Sequence, residues 1–383
     1  MGKGKDKNPV VLQVLPELET GGVELGTVEI AQAMQKQGIK NFVASKGGRM
    51  VYELDKAKVP HLTLPLKSKN PLVILKNAKK LEAFIRENGV NIVHARSRAP
   101  AWSAYLAAKR TGAHYMTTFH GTYGLGPWGI KKAYNKIMTM GERIIVISNH
   151  IKNHVLQNYK AAEDKLRLIH RCADIERFAP EAVTQERMIN KIKEYNIAED
   201  KPVILLPGRV TRWKGQHVLI EALAKMKSQN YYCIITGDNQ GRQKYFDYLQ
   251  KLTRKYHLEN RIGFFGRYSD VPALMMVSNV VLSTAIEPEA FGRISVEGQA
   301  MGKIVVASNI GGSLDTIKDG ITGKLYQYDD PQALADALDW ALNLSDAEKN
   351  KIGKAAIKNV RENFTRELMC DKTIAVYNEL MKD

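Results

Sequence analysis

Short, unbroken apolar runs alternate along this chain with stretches of helical periodicity, and the alternation occurs twice. In the first series Val10–Leu15, Asn41–Ser45, Asn91–Ala95, His114–Phe119 and Arg143–Ser148 read as strands. The segments Val23–Gln37, Leu72–Glu87, Ala99–Arg110 and Lys131–Met140 between them read as helices. The second series has strands at Val203–Pro207, Tyr231–Gly237, Ile262–Gly266, Val280–Ser283 and Ile304–Ser308. Its helices are Gln216–Met226, Tyr245–Tyr256 and Val271–Ser278. Continuous, largely apolar strands must be covered on both faces, which means parallel sheets between layers of helices. The fold class is therefore α/β, with two Rossmann-like doubly wound domains. A polar stretch from Phe178 to Pro202 places the boundary between residues 1–180 and 181–365. The helical tail within 366–383 is expected to cross back to the first domain.

Within this frame the segment Glu289-Ala290-Phe291-Gly292-Arg293-Ile294-Ser295-Val296-Glu297 carries the most chemistry. It lies between the strand Val280–Ser283 and a helical run, Ile294–Met301, that ends at Gly302. Ligands of open α/β sheets bind at the carboxyl ends of strands, where helix N-termini offer free amides to anions. Carboxylates there repel phosphate but suit hydroxyls, as on a ribose or a sugar. The pattern points to a nucleotide sugar. Gly208-Arg209-Val210-Thr211-Arg212-Trp213-Lys214-Gly215 occupies the turn after Val203–Pro207. Its cations can converge on a diphosphate, and its spacing is not that of a Walker loop. Solvated cations on a plain turn are the alternative.

Gly21-Gly22-Val23-Glu24 fills the corresponding turn of the first domain, either as a tight turn or as a close approach to phosphate. His120 ends the strand His114–Phe119, so its position favours a hydrogen bond to a sugar. The letters G-x-G-x-x-G recur at Gly124–Gly129, but Pro127 interrupts them and no strand directly precedes them, so they read as a loop. His150 and His154 read as a polar helix face, because no third metal ligand accompanies them. No Asp-x-Asp occurs, so no carboxylate pair for a divalent metal is visible and none is expected. Neither is any cofactor.

Residues 1–178 hold 29 Lys/Arg against 14 Asp/Glu, whereas the remainder holds 28 against 26. A basic excess confined to one half argues for an anionic partner. Nucleic acid is the weaker choice, since no nucleic-acid motif appears. The scattered cysteines, three in number, fit a reducing cytoplasm. No run is long enough to span a membrane.

Together these residues resemble the retaining glycosyltransferases of family 4, whose GT-B fold has two facing Rossmann-like domains with a cleft between. The resemblance covers essentially the whole chain. It rests on Pro288–Glu297 with Gln299-Ala300-Met301-Gly302, on Gly208-Arg209 with Lys214-Gly215, on Gly21-Gly22 and on His120-Gly121. It implies that Glu297 binds the ribose and that Glu289 contacts the donor sugar. Arg209 and Lys214 would grip the diphosphate, with Gly208 in the same turn and Gly22 approaching from the first domain. The amides of Phe291, Gly292 and Arg293 would hold phosphate and sugar, His120 would touch the sugar, and Arg267 would lie along the base.

His94-Ala95-Arg96-Ser97-Arg98-Ala99-Pro100 and Lys67-Ser68-Lys69-Asn70-Pro71 resemble a bacterial subgroup of lipopolysaccharide core mannosyltransferases. That likeness implies hexose transfer from a GDP-, UDP- or ADP-sugar to an anionic lipid-linked acceptor. Arg96 and Arg98 would contact the acceptor, and the basic domain would sit on the inner face of the cytoplasmic membrane. Solvated loop arginines are the alternative. Other readings are a GT-B transferase with a soluble acceptor and, more distantly, an NAD-type dehydrogenase.

Overall fold

The computed structural model describes residues 8–19, 21–266 and 269–382. Arg267, an expected donor contact, lies outside the described residues. The chain divides into two units, Met1–Arg171 with Arg366–Asp383, and Cys172–Thr365. The segment around Phe178–Pro180 thus belongs to the second unit.

The first unit holds a parallel sheet of β1 (Val11–Val14), β2 (Asn41–Ser45), β3 (His61–Thr63), β4 (Ile92–Ala95), β5 (His114–Phe119), β6 (Arg143–Val146) and β7 (Leu166–Leu168). Its order is β3-β2-β1-β4-β5-β6-β7. The second unit holds β8 (Val203–Pro207), β9 (Tyr232–Thr236), β10 (Ile262–Phe265), β11 (Val280–Ser283), β12 (Ile304–Ser308) and β13 (Lys324–Tyr326). They lie in the order β10-β9-β8-β11-β12-β13, again parallel. Strands β1, β2, β4, β8, β11 and β12 are buried at every residue, as continuous apolar runs require. In the second unit Leu206, Ile235, Leu282 and Val306 of the sheet join Leu219 and Leu338 of covering helices in one core.

Each sheet reverses direction once. The chain lays β1, β2 and β3 outward one way, then restarts at β4 on the other flank of β1. In the second unit it lays β8, β9 and β10, then restarts at β11 on the other flank of β8. Loops leaving the carboxyl ends at such a reversal diverge and open a crevice. The loops after β8 and β11 carry Arg209, Lys214 and Glu289, and the helix after the second loop, Arg293–Ala300, carries Glu297.

The helix Arg366–Leu380 returns to the first unit. Glu379 accepts from Arg143 Nε at 2.8 Å and from Arg167 Nε at 3.0 Å. Hydrogen bonds from Arg167 and Arg143 hold its carboxyl down at about 2. A depressed carboxyl stabilises the fold above its unfolded value near ~4 and loses that contribution as pH falls towards 2. Because the carboxylate is about one-third exposed, Glu379→Gln is expected to cost only about 1–2 kcal/mol at pH 7. Denaturant titration of both proteins checks this, and the gap between them should close as pH falls below 4 towards 2. Among the described residues no helix is long and apolar enough to cross a membrane.

Candidate active site

The loop after β8 and the loop after β11 are laced together. Thr284 Oγ1 donates to the Lys214 carbonyl, and the Ile286 amide donates to the Trp213 carbonyl, both at 2.8 Å. Gly215 has φ 70°, and a Cβ there would fall 1.9 Å from the Thr284 carbonyl oxygen. Only glycine allows that approach in a left-handed conformation. The lacing brings Lys214 Nζ into an ion pair with Glu289, both side chains being mostly buried. Lys214 Nζ also stands 4.5 Å from the centroid of the Trp213 ring. Arg209 is exposed on the same loop, where Gln216 Nε2 donates to its carbonyl at 3.0 Å.

Glu289 leads directly into the next helix. The Gly312 amide donates to the Glu289 carbonyl at 2.8 Å. A Cβ on Gly312 would lie 2.4 Å from Phe291 Cα, so the glycine lets this segment settle on its neighbour. Phe291 packs its ring edge-on against Phe364, with centroids 5.7 Å apart. Gly292, at φ 82°, then opens the helix Arg293–Ala300, which has no side-chain cap. The amides of Arg293 and Ile294 have no partner among the described residues, as the first turn of a helix dictates.

Glu297 lies on this helix, buried, and its carboxylate has no hydrogen-bond partner among the described residues. Burial pushes its carboxyl up to about 7, against the opposing pull of Arg293 and Arg177. Ser295 Oγ and Thr211 Oγ1 are likewise buried and unpartnered. Buried polar groups almost always find partners. These two hydroxyls, the Glu297 carboxylate, the free amides and the Lys–Glu pair all lie on the segments that follow β8 and β11. Ser295 and Thr211 carried no distinguishing signal in the sequence, since a lone hydroxyl beside a motif is unremarkable.

In the first unit Gly22 begins the helix Gly22–Lys36, also without a side-chain cap. Its carbonyl accepts from Arg171 Nη2 at 3.0 Å. The same nitrogen meets His120 Nδ1 at 2.8 Å. His120 follows β5, and its Nε2 is buried without a partner. Burial foremost, then the charges of Arg171, Arg96 and His94, hold its imidazole well below the usual histidine range. His94 is buried between Tyr377 and Thr118, with each ring nitrogen 2.7 Å from a hydroxyl.

Comparison with known proteins places the family of the chain. Residues 188–359 match the glycosyl transferases group 1, and residues 20–177 match Glycosyltransferase Family 4. A crystal structure of a glycosyltransferase from Rickettsia africae ESF-5 is 42% identical, covers 98% of this chain and 99% of that one, and gives a TM-score of 0.91. The chain belongs to this glycosyltransferase family. Its two parallel-sheet units are those of the GT-B fold. The N-acetyl-alpha-D-glucosaminyl L-malate synthase of Bacillus anthracis is 25% identical over 80% of this chain and 79% of that protein. YtcC of Bacillus subtilis strain 168 is 28% identical over 62% of this chain, which spans only 60% of that relative.

The glycosyltransferase thus brings together Gly208, Arg209, Lys214, Glu289, Phe291, Gly292, Arg293 and Glu297 in its second unit, and Gly22 with His120 in its first. Arg96 is a correction. It is buried at 1% exposure, donates from Nη1 to Gln13 Oε1 at 3.0 Å, and is pulled down to about 9 by burial. A guanidinium enclosed beside β1 offers no surface to an acceptor. Arg98 is half-buried; it donates to Asn135 Oδ1 at 3.0 Å and lies 4.3 Å over the Tyr123 ring. His154 meets the Tyr123 amide through Nε2 at 3.4 Å and Asn158 Nδ2 through Nδ1 at 3.2 Å, so its ring is engaged in local structure.

Proposed function

We propose that this glycosyltransferase moves a hexose, mannose by its resemblance to core-assembly enzymes, from a nucleotide sugar to an anionic lipid-linked saccharide with retention at the anomeric carbon. The observation that carries the donor half is the convergence of Lys214–Glu289, the unpartnered Glu297 and the open amides of Arg293 and Ile294 at one sheet reversal. Glu297 as a carboxylate accepts from the two ribose hydroxyls. Lys214, Arg209 and the helix amides take the diphosphate. Glu289 hydrogen-bonds the donor sugar, and in the first unit His120 offers Nε2–H to a sugar hydroxyl.

As the bond from C1 to the phosphate oxygen breaks, charge grows on the diphosphate, and Lys214 and Arg209 neutralise it. The acceptor hydroxyl bonds to C1 from the same face, and its proton passes to the departing phosphate oxygen. No metal is needed for this counter-charge. Proton NMR of the product from a defined donor should show the donor's anomeric configuration, with turnover unaffected by EDTA. An inverted product, or activity abolished by chelation and restored by Mg²⁺, would refute the mechanism.

The acceptor side rests on the surface of the first unit. Trp128 is 98% exposed and Ile130 73% exposed, beside exposed Lys131, Lys132 and Lys136. Leu72 is 76% exposed at the start of the helix Pro71–Asn88, which carries Lys76, Lys79 and Lys80 on its exposed positions. Both segments pack on one helix, Arg98–Thr111. Ser103 donates to the Ile74 carbonyl at 3.0 Å, and Trp102 lies 6.1 Å from the Tyr134 ring. Apolar tips among lysines suit an anionic bilayer surface, each lysine adding up to about 1 kcal/mol. Sedimentation with anionic vesicles should bring the protein down at low salt, and the paired change Trp128→Ala with Ile130→Ala should weaken it about tenfold or more. Binding indifferent to lipid charge and salt would contradict membrane docking. A soluble anion is the second reading, favoured by the L-malate in the name of the Bacillus anthracis relative.

A further inference from the structure

Arg171 stands outside every motif that led to the site, yet it holds two of the first unit's expected ligand contacts together. Its Nη2 donates to the Gly22 carbonyl at 3.0 Å and faces His120 Nδ1 at 2.8 Å. A guanidinium has donors and no acceptor. The ring nitrogen it meets must therefore offer a lone pair, and the single proton of a neutral imidazole must sit on the other nitrogen. That other nitrogen, Nε2, is buried with no partner.

We infer that Arg171 is a positioning residue that fixes the His120 proton on Nε2 and excludes the imidazolium, so that His120 remains a neutral hydrogen-bond donor. The inference deepens the reading in which His120 meets the donor sugar, and it rests on that reading for its functional consequence.

The surroundings are built for this contact. A Cβ on Gly26 would lie 2.0 Å from Arg171 Nη1, so the helix Gly22–Lys36 leaves its side open where the guanidinium lies. Arg171 Nη1 also reaches Met369 Sδ at 3.7 Å on the returning helix. The charged and titratable groups around His120 are Arg171, Arg96 and His94, with Tyr123 bonded to its backbone. His94 has both nitrogens engaged by hydroxyls, and Arg96 Nη1 is spent on Gln13. None of them offers the acceptor that a protonated Nδ1 would need, and the cations oppose a second positive charge. A sugar hydroxyl that accepts from Nε2 thus finds the donor present across the working pH range.

The test reads the proton directly. Protein labelled with ¹⁵N-histidine, with His120 assigned through a His120→Gln variant, should show His120 as the neutral Nε2–H tautomer from pH 5.5 to 8.5. Arg171→Met should release it, giving mixed tautomers and a titration raised towards the ordinary value of ~6.5, though burial still holds it below. At saturating donor the ratio of variant to wild-type kcat should then fall several-fold between pH 7.5 and 5.5, as His120 protonates. Arg171→Lys, which keeps a charged donor, should restore the tautomer in part. A wild-type His120 that titrates near ~6.5, or that carries its proton on Nδ1, overturns the inference even if Arg171→Met fails to fold. An unchanged tautomer and pH ratio in a folded Arg171→Met protein overturns it too. If His120→Ala keeps full turnover while the tautomer is as stated, the sugar contact fails and the positioning stands.

Discussion

Replacing Lys214 by alanine is expected to lower kcat by about 10²–10³-fold at saturating donor, a loss of about 3–4 kcal/mol of transition-state stabilisation. The size follows from the placement of the charge. Lys214 is mostly buried, fixed by lacing of its loop to Thr284 and Ile286, and paired with Glu289. A cation held in such a site acts on a developing phosphate charge with little solvent screening and no reorganisation. Removing it also leaves Glu289 without its counter-ion, which carries a stability cost. Melting temperatures must therefore accompany the rates. Lys214→Arg, which preserves charge, should recover part of the loss. A folded Lys214→Ala protein with near-native kcat would remove the lysine from catalysis.

The second large effect concerns Glu297. In the proposed donor site its ionised form is the one that would accept from both ribose hydroxyls, while burial favours the protonated form up to about pH 7. The folded carboxyl holds its proton after an unfolded one has lost it. Stability contributed by this group therefore declines as pH rises from the ordinary carboxylate range, near ~4, towards 7. Donor binding has the opposite slope, because the ligand selects the carboxylate. Affinity for a nucleotide sugar should fall about tenfold from pH 8 to pH 6. Glu297→Gln should flatten that dependence and weaken binding about 10²-fold at pH 8, two charge-assisted hydrogen bonds being lost. Calorimetric titration with an intact nucleotide sugar avoids interference from a terminal phosphate. An unchanged slope in the variant would take Glu297 out of the ribose contact.

The parts of the fold that announce themselves in the sequence are those buried on both sides. Strands such as Asn41–Ser45 and Ile304–Ser308 are buried throughout and apolar but for polar ends, because helices cover both faces, and the sequence alone sets their limits. The short edge strands β3, β7 and β13 escaped because their side chains are largely half-exposed, so no continuous apolar run marks them. The segment Lys131–Met140 reads as one helix but is a helix, Ile130–Asn135, followed by a 3₁₀ turn, Lys136–Thr139. Trp128 just before it adopts φ 56°, which periodicity does not report.

The same division holds at the site. Glu289, Glu297 and Lys214 were legible because each lies within a few residues of the strand end or helix start that positions it. Arg171 was not, since its partners Gly22 and His120 are 149 and 51 residues away in the chain. Arg96 misled for a related reason. It directly follows a buried strand, and Gln13 on the neighbouring strand draws it inward, a pairing across 83 residues that spacing cannot reveal.

The most direct test of a nucleotide-sugar site on the second sheet is a thermal-shift panel of GDP-, UDP- and ADP-hexoses against the wild-type protein and Glu297→Gln. At ~100 times its Kd, a donor that binds the folded state adds about 2.7 kcal/mol. The wild type should be stabilised by at least one of the panel, and the variant much less by the same compound. No shift with any donor, or equal shifts in both proteins, would contradict the site.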